Sequence, residues 1–491
     1  MAAKDFSTPH LATSNPNGVN NLDIGIRKGL QFYRRQNRNF KALNIRITLN
    51  TFLENLTQPY NQVYALELGA SPVELGYLSS VGSAFAAAFS LHGGFMADRC
   101  GRKKLFVLAS AMGLLTPLIY FVARSWIWIV PALIFSRLMM GLRQTAHEAM
   151  YAGSVRSRDR GRAFGIGSML TSLPVIMAPM VAVQIMGNPS AISAPSIRPL
   201  YLIQLVGFAL LLAFVYFFLR EEDGNWRELG TAFSARDLYF LSPFLSIPPL
   251  VCIIIGFTQG IESTALIPPV LLLAASLVVA ILAYKRKSGE NGNENHLGEE
   301  LRELVRLPGV KAWLGMKASG AFAMGLASPF LLVYAAYGLG MNPVGLALMV
   351  TLRTLTKFLS AIPWGLATDS HGRKFTFLFG RSFMNLGILC FILASKQWVL
   401  LLAYALMGIA DGSTSAWSVI RTEIVPSKSR AVMISLNNYV YYLPVILSAL
   451  IGGVLYTVWP RIIFILCLLI DAGIRIPLVA FGVPETRKPS G

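Results

Sequence analysis

Five stretches of this chain, residues 105–123, 163–186, 199–219, 238–261 and 263–284, contain no Asp, Glu, Lys or Arg. Crossing the roughly 30 Å hydrocarbon core of a bilayer takes about 20 apolar residues at helical rise. Each stretch is long enough to do so. The rest of the chain agrees, with 54% hydrophobic and only 14% charged residues. A soluble protein carries about 25% charge, so this chain cannot cover a water-facing surface of its own size. Its expected solvent is lipid.

The formal net charge of +19 would suggest nucleic acid in a soluble protein. Here the placement of charge argues for a lipid bilayer and against nucleic acid. If a first span near 43–66 starts inside, alternate loops carry Arg27, Lys28, Arg34, Arg35, Arg38 and Lys41, then Arg99, Arg102, Lys103 and Lys104, then Arg156, Arg158, Arg160 and Arg162. Later loops on that side carry Lys285–Lys287, Arg373, Lys374, Lys428 and Arg430. The opposite loops hold only Arg124, Arg198, Lys396 and Arg461. That asymmetry predicts both termini in the cytoplasm of a multi-pass plasma-membrane protein. The polar opening segment, rich in Asn, Ser, Thr and Pro, reads as a tail and not as a cleaved signal. Cys100, Cys252, Cys390 and Cys467 have no spacing that suggests a metal site or disulfide framework.

The pattern predicts fourteen helices. Residues 1–42 form a tail and basic segment, and 43–219 a six-helix bundle. A linker at 220–312 holds two extra spans near 238–260 and 264–284 and a charged loop ending in a short surface helix. A second six-helix bundle covers 313–485, and 486–491 is a tail. Pro248-Pro249 interrupts the first extra span.

The halves repeat. Gly94, Asp98, Gly101, Arg102 and Lys103 recur as Gly365, Asp369, Gly372, Arg373 and Lys374, each pair 271 residues apart. Upstream, Pro59, Val63, Tyr64 and Ala65 match Pro329, Val333, Tyr334 and Ala335 at offset 270. One coincidence means little; a shared phrase at nearly constant offset implies a duplicated six-helix unit. Parallel duplicated halves are a ground plan of secondary transporters.

The phrases "GGFMADRCGRK" and "GLATDSHGRK" resemble the signature loop, G-x-x-x-D-x-x-G-R-K, of the major facilitator superfamily. "RLMMG", Arg137 to Gly141, resembles that family's fourth-helix motif. The resemblance covers about 43–219 and 313–485, and a fourteen-helix member would place its extra pair between the halves. It implies an all-α membrane fold of two pseudo-symmetric six-helix bundles that rock about a central cavity. It also implies that the loop at Gly94, Asp98, Arg99, Gly101, Arg102 and Lys103 latches the halves on the cytoplasmic side, with Asp98 docking near Ala431. The loop at Gly365, Asp369, Gly372, Arg373 and Lys374 would be its echo. Physically, the glycines suit tight reversal, and an aspartate is favoured at a helix start. Asp98→Asn is expected to spare insertion and lower transport severalfold.

A charged side chain at mid-bilayer costs about 2.5–3.5 kcal/mol, so each one is a candidate for function. Asn50, Glu54, Gln58 and Asn61 form a polar stripe on the first helix. The fourth carries Arg137, Arg143, Gln144, His147 and Glu148. Arg353 and Lys357 lie one turn apart in the second half, and Asp411 sits midway along its own span. The resemblance places first and fourth helices of each half around the cavity, bringing Glu54 near Arg137 or Arg143. Ion pairing would let these charges survive burial, and protonating Glu54 or Asp411 would release a partner. Trp417, Asn438, Tyr439 and Tyr442 suit a wall that stacks and hydrogen-bonds an organic solute. Asp471 and Arg475, four apart, read as a structural pair at the bundle rim, Arg381 as interfacial, and Lys317 as snorkelling toward the membrane surface.

No phosphate cradle, metal-ligand spacing or nucleophile with its base accompanies these features, so no enzyme and no cofactor is expected. The expectation is a monomeric secondary transporter of a small organic solute, coupled to protons. A membrane sensor that kept the fold is the alternative. Direction is divided: the fifth helix has Ala178-Pro179 where exporters of the family carry a glycine-proline motif, whereas fourteen spans favour export.

Overall fold

A computed structural model describes residues 31, 33–89, 102–155, 160–187, 192–219, 302–414, 417, 420, 424–426 and 430–485. Helices make up the described residues, with no strand among them. The first six spans are α1 (Arg38–Thr57), α2 (Pro72–Phe89), α3 (Arg102–Met112), α4 (Ile129–Gly153), α5 (Arg160–Ile185) and α6 (Ala194–Phe218). The second six are α7 (Val310–Ala327), α8 (Pro343–His371), α9 (Arg373–Leu393), α10 (Gln397–Gly412), α11 (Arg430–Val458) and α12 (Ile462–Ile470). All twelve expected family spans are present. The expected extra pair at 238–260 and 264–284 lies outside the described residues, as does the signature loop from Gly94 to Gly101. Residues 302–306 form the expected short helix before α7.

Boundaries follow local chemistry. Asn37 caps α1, its side-chain oxygen accepting from the Phe40 amide at 2.8 Å. The helix therefore begins at Arg38, about a turn before the expected start near 43. Pro59 cannot continue the hydrogen-bond ladder, so α1 passes into a 3₁₀ turn, Gln58–Tyr60, before Asn61–Glu67 resumes. Pro329 does the same after α7, at Ser328–Phe330. α3 is not the single expected helix: it breaks at Gly113–Leu114 and resumes as Leu115–Val122.

The duplication extends to side-chain geometry. In the first half Arg198 donates from Nη2 to the Ala123 carbonyl at 2.9 Å and from Nε to the Tyr64 hydroxyl at 3.4 Å. In the second half Arg461 donates to the Ala394 carbonyl and the Tyr334 hydroxyl, both at 3.0 Å. Each arginine opens the sixth span of its half and ties it to the first and third.

Seven described segments of 20–29 residues are long and apolar enough to cross a membrane. With α1 and α4 diluted by polar side chains, they form a multi-pass membrane protein.

The two ends of the bundle differ. The side where α1 begins, and where the described residues end at Glu485, is here the proximal end, and the other the distal end. At the distal end one apolar core joins both halves, with Tyr60, Val63 and Tyr64 packed among Phe330, Leu331 and Val333. Tyr60 donates to the Pro343 carbonyl at 3.4 Å, and the Tyr337 hydroxyl to the Glu67 carboxylate. Gly76 and Gly453 let α2 and α11 touch backbone to backbone: a Cβ on Gly453 would lie 2.8 Å from the Pro72 carbonyl oxygen. Ser80 Oγ then reaches the Ile446 carbonyl at 2.6 Å, and Thr351 on α8 the Ile176 carbonyl of α5 at 3.1 Å. At the proximal end the described cores separate. Phe40, Phe106 and Tyr151 centre one in the first half, and Trp313, Phe377 and Met433 another in the second.

Candidate functional site

Between the halves lies a cavity of about 1020 Å³. Its first-half wall includes Thr51, Asn55, Gln58 and Gln62 of α1 and its continuation, with Ser168 and Thr171 of α5. Its second-half wall includes Arg353 and Lys357 of α8, Tyr404 and Asp411 of α10. A second cavity of about 460 Å³ shares Gln62, Ser328, Arg353 and Asp411 with the first and extends it toward α7, α11 and α12.

Among the described residues, each half holds an ion pair beside this space. In the first, Arg143 Nη2 on α4 lies 2.6 Å from Glu54 Oε1 on α1. In the second, Arg353 Nε on α8 lies 2.8 Å from Asp411 Oδ2 on α10. The Arg353 guanidinium also lies 5.7 Å from the centre of the Tyr404 ring. Arg143 is thus the partner that Glu54 selects. Arg137 sits six residues earlier, which on a helix means about 9 Å along the axis and a different face. It lies beside Gly82, whose missing side chain leaves room for it, and faces the second cavity.

Sequence reasoning missed Arg46. It is 3% exposed, donates to Asn50 Oδ1 at 3.2 Å and lies 4.5 Å over the Phe106 ring. The signal was available: Arg46 lies inside the expected first span and continues the stripe of Asn50, Glu54 and Gln58 one turn back. Arg46, Asn50, Glu54, Arg143, His147 and Tyr151 line a third cavity of about 640 Å³.

Several expectations need correction. Asn61 does not face the cavity; its Oδ1 accepts from the Tyr201 hydroxyl at 2.8 Å, tying α1's continuation to α6. Tyr442 and Trp417 line the second cavity, whereas Asn438 and Tyr439 do not. Asn438 lies one turn before Tyr442 on α11, and Tyr439 is 40% exposed. Tyr441 takes its place in the wall.

Lys317 does not snorkel to the surface. Its ammonium lines the second cavity, 4.7 Å from the centre of the Tyr441 ring and 5.9 Å from that of Trp417. Arg381 is not interfacial either: it is 5% exposed and grips Asp471 with two donors, Nε at 3.1 Å and Nη2. Arg475 Nη1 reaches the same carboxylate at 3.1 Å. A π-helical turn at Asp471–Arg475 in the continuation of α12 carries this pair inward, so Arg475 lines the cavity instead of the rim.

Of the second-half loop, Asp369 is exposed and makes no hydrogen bond or ion pair with the described start of α9. Glu485 fills that position, its carboxylate accepting from the Arg373 amide at 3.3 Å and the Lys374 amide at 3.0 Å. Gly372, at φ +96°, makes the reversal, and a Cβ there would lie 2.9 Å from Glu485 Oε2. Gly365 sits in α8 with open space around it. The side chains of Arg102, Lys103 and Gln144 lie outside what the structure describes, as does all of Asp98 and Arg99. No metal-binding group of His, Cys, Asp and Glu occurs among the described residues.

The family model described as Major Facilitator Superfamily matches residues 45–284 and 313–491. No curated protein matches the sequence significantly. Among solved structures, a POT family transporter in complex with a thioalcohol-conjugated peptide is 15% identical, with a TM-score of 0.66, covering 90% of this chain and 96% of that one. A POT family transporter in complex with 5-aminolevulinic acid is also 15% identical, with a TM-score of 0.65, covering 91% and 96%. The nucleoside transporter NupG, as a mutant, is 13% identical, with a TM-score of 0.59, covering 90% and 99%. At these identities the likeness establishes the fold.

Proposed function

Because the chain belongs to the major facilitator superfamily, we propose that it moves a small organic solute across the plasma membrane by alternating access. The observation that carries this reading is the contrast between its ends among the described residues: one core joins the halves distally, and separate cores face each other proximally. A cleft closed at one end and open at the other is what a rocking pair of bundles presents in one of its two states. The positive-inside bias puts the termini, and the open end, in the cytoplasm. The working unit is the monomer, since each chain supplies both halves of the cleft.

Energy comes from a gradient, and the proton is the coupling ion in this reading. Glu54 with Arg143 and Asp411 with Arg353 supply one protonatable carboxylate per half, each holding a cation at the cavity edge. Protonating either carboxylate releases its arginine and changes the charge facing the cleft. The signature loop around Asp98 and its echo around Asp369 serve as the cytoplasmic latch. The sensor alternative has no observation in its favour. Purified protein in liposomes under an imposed pH gradient separates the two. Saturable solute flux that follows the gradient supports coupled transport, flux indifferent to pH removes the proton, and binding without flux leaves a sensor.

A further inference from the structure

The second cavity is unbalanced in charge. Arg137, Lys317, Arg353, Arg381 and Arg475 line it, against Asp411 alone. Asp471 stands behind the wall, shared by Arg381 and Arg475. Even with Lys317 set aside, four guanidiniums meet two carboxylates. Arg137 has no carboxylate partner among the described residues.

The cavity is unbalanced in hydrogen bonding as well. The indole N–H of Trp417 and the Nε–H of Arg475 are buried and find no acceptor among the described residues. Among the described lining side chains, Gln62 Oε1 is a buried acceptor without a donor. Buried donors left unmatched are costly, more so when charged, so such donors mark a place where an acceptor is to be supplied. The same wall is aromatic. Trp417 lies 4.5 Å below the Arg475 guanidinium, and Tyr441 and Tyr442 continue it. An excess of cations and of donors on one aromatic wall suits a ligand that brings negative oxygens on an apolar body.

Building on the transport reading above, we propose that the solute is an organic anion with an aromatic or flat apolar body. Its carboxylate or other oxyanion sits between Arg137 and Lys317, within reach of the Trp417 indole N–H, and its body lies along Tyr441 and Tyr442. At about 460 Å³ the cavity takes a molecule of one or two rings.

The test is binding to the purified full-length protein, read by thermal stabilisation and by equilibrium dialysis. The probes are benzoate, phenylacetate, indole-3-acetate and phenyl phosphate, with benzylamine and tryptamine as matched cations and benzamide as a neutral control. Saturable binding of at least one anion, at least tenfold tighter than the amines and benzamide, is expected. Arg137→Gln then weakens that anion at least tenfold while Arg137→Lys retains most of the affinity. Lys317→Gln serves as the second variant if Arg137→Gln is not monodisperse. Comparable binding of the amines or of benzamide overturns the proposal. So does the absence of binding by every anion, or unchanged affinity in the charge-removing variants. Flux of a cationic or neutral solute would overturn the substrate class and leave transport standing, whereas anion binding without flux would do the reverse.

Discussion

Asp411 Oδ2 on α10 holds Arg353 Nε on α8 at 2.8 Å, a pair made within the second half and facing the cavity from both members. Each side chain is about a quarter exposed, at 23% and 26%, so the pair is wet enough to open and dry enough to matter. The Glu54–Arg143 pair in the first half joins α1 to α4 instead, so the two pairs are not copies related by the duplication. Coupling through them would be asymmetric.

Asp411→Asn removes the counter-charge of Arg353 without changing shape. We expect solute flux in liposomes to fall at least tenfold. Half-loss temperature in detergent should fall modestly, since removing one partner of a fully buried pair costs about 3–5 kcal/mol and this pair is partly hydrated. Wild-type flux from a monodisperse preparation would exclude the pair from the cycle.

Asp471→Asn should behave differently. Asp471 is 1% exposed and neutralises both Arg381 and Arg475. Its loss leaves two buried guanidiniums facing each other, with a cost of about 3–5 kcal/mol. Fluorescence-detected size exclusion after heating should show a larger fall in stability than Asp411→Asn produces. An equal or smaller fall would mean that water carries the charge.

Gly76→Val tests the distal seal. A Cβ at Gly76 would collide with the Ala449 carbonyl, a backbone atom that cannot turn aside. The α2–α11 contact must then open, which disfavours the distally closed state. Labelling of a cysteine placed at Ser80 by a membrane-impermeant maleimide, applied from the distal side, should rise severalfold, with flux reduced. Unaltered labelling would show that the helices separate elsewhere.

Glu485→Gln probes the start of α9. The carboxylate accepts from two first-turn amides and faces the positive helix end, an arrangement worth roughly 0.3–1 kcal/mol when exposed. A drop of a few degrees or less in thermal stability is expected, with Asp369→Asn having none of this effect. A larger loss from Asp369→Asn would return the capping role to that residue.

How much was legible beforehand follows from range. The twelve described spans, the duplicated halves and the charged stripe on α1 are set by residues close in sequence, by apolar run length and by a period of 3.6. The repeat at offset 270 even anticipated Tyr64 and Tyr334, whose hydroxyls receive Arg198 and Arg461 in matching modules. Partner choice was not legible in the same way. Whether Glu54 meets Arg137 or Arg143 depends on the depth at which α1 and α4 cross, which only the packing of the two helices sets.

The amino-acid order by itself therefore determined a membrane-spanning, two-fold repeated helical chain, because lipid dictates span length and each helix satisfies its own backbone. Only the tertiary arrangement decided which charges share a cavity. It turned Lys317, Arg381 and Arg475 from supposed surface and rim positions into one cationic wall, because a π turn and close α7–α12 packing rotate side chains that no local period could orient.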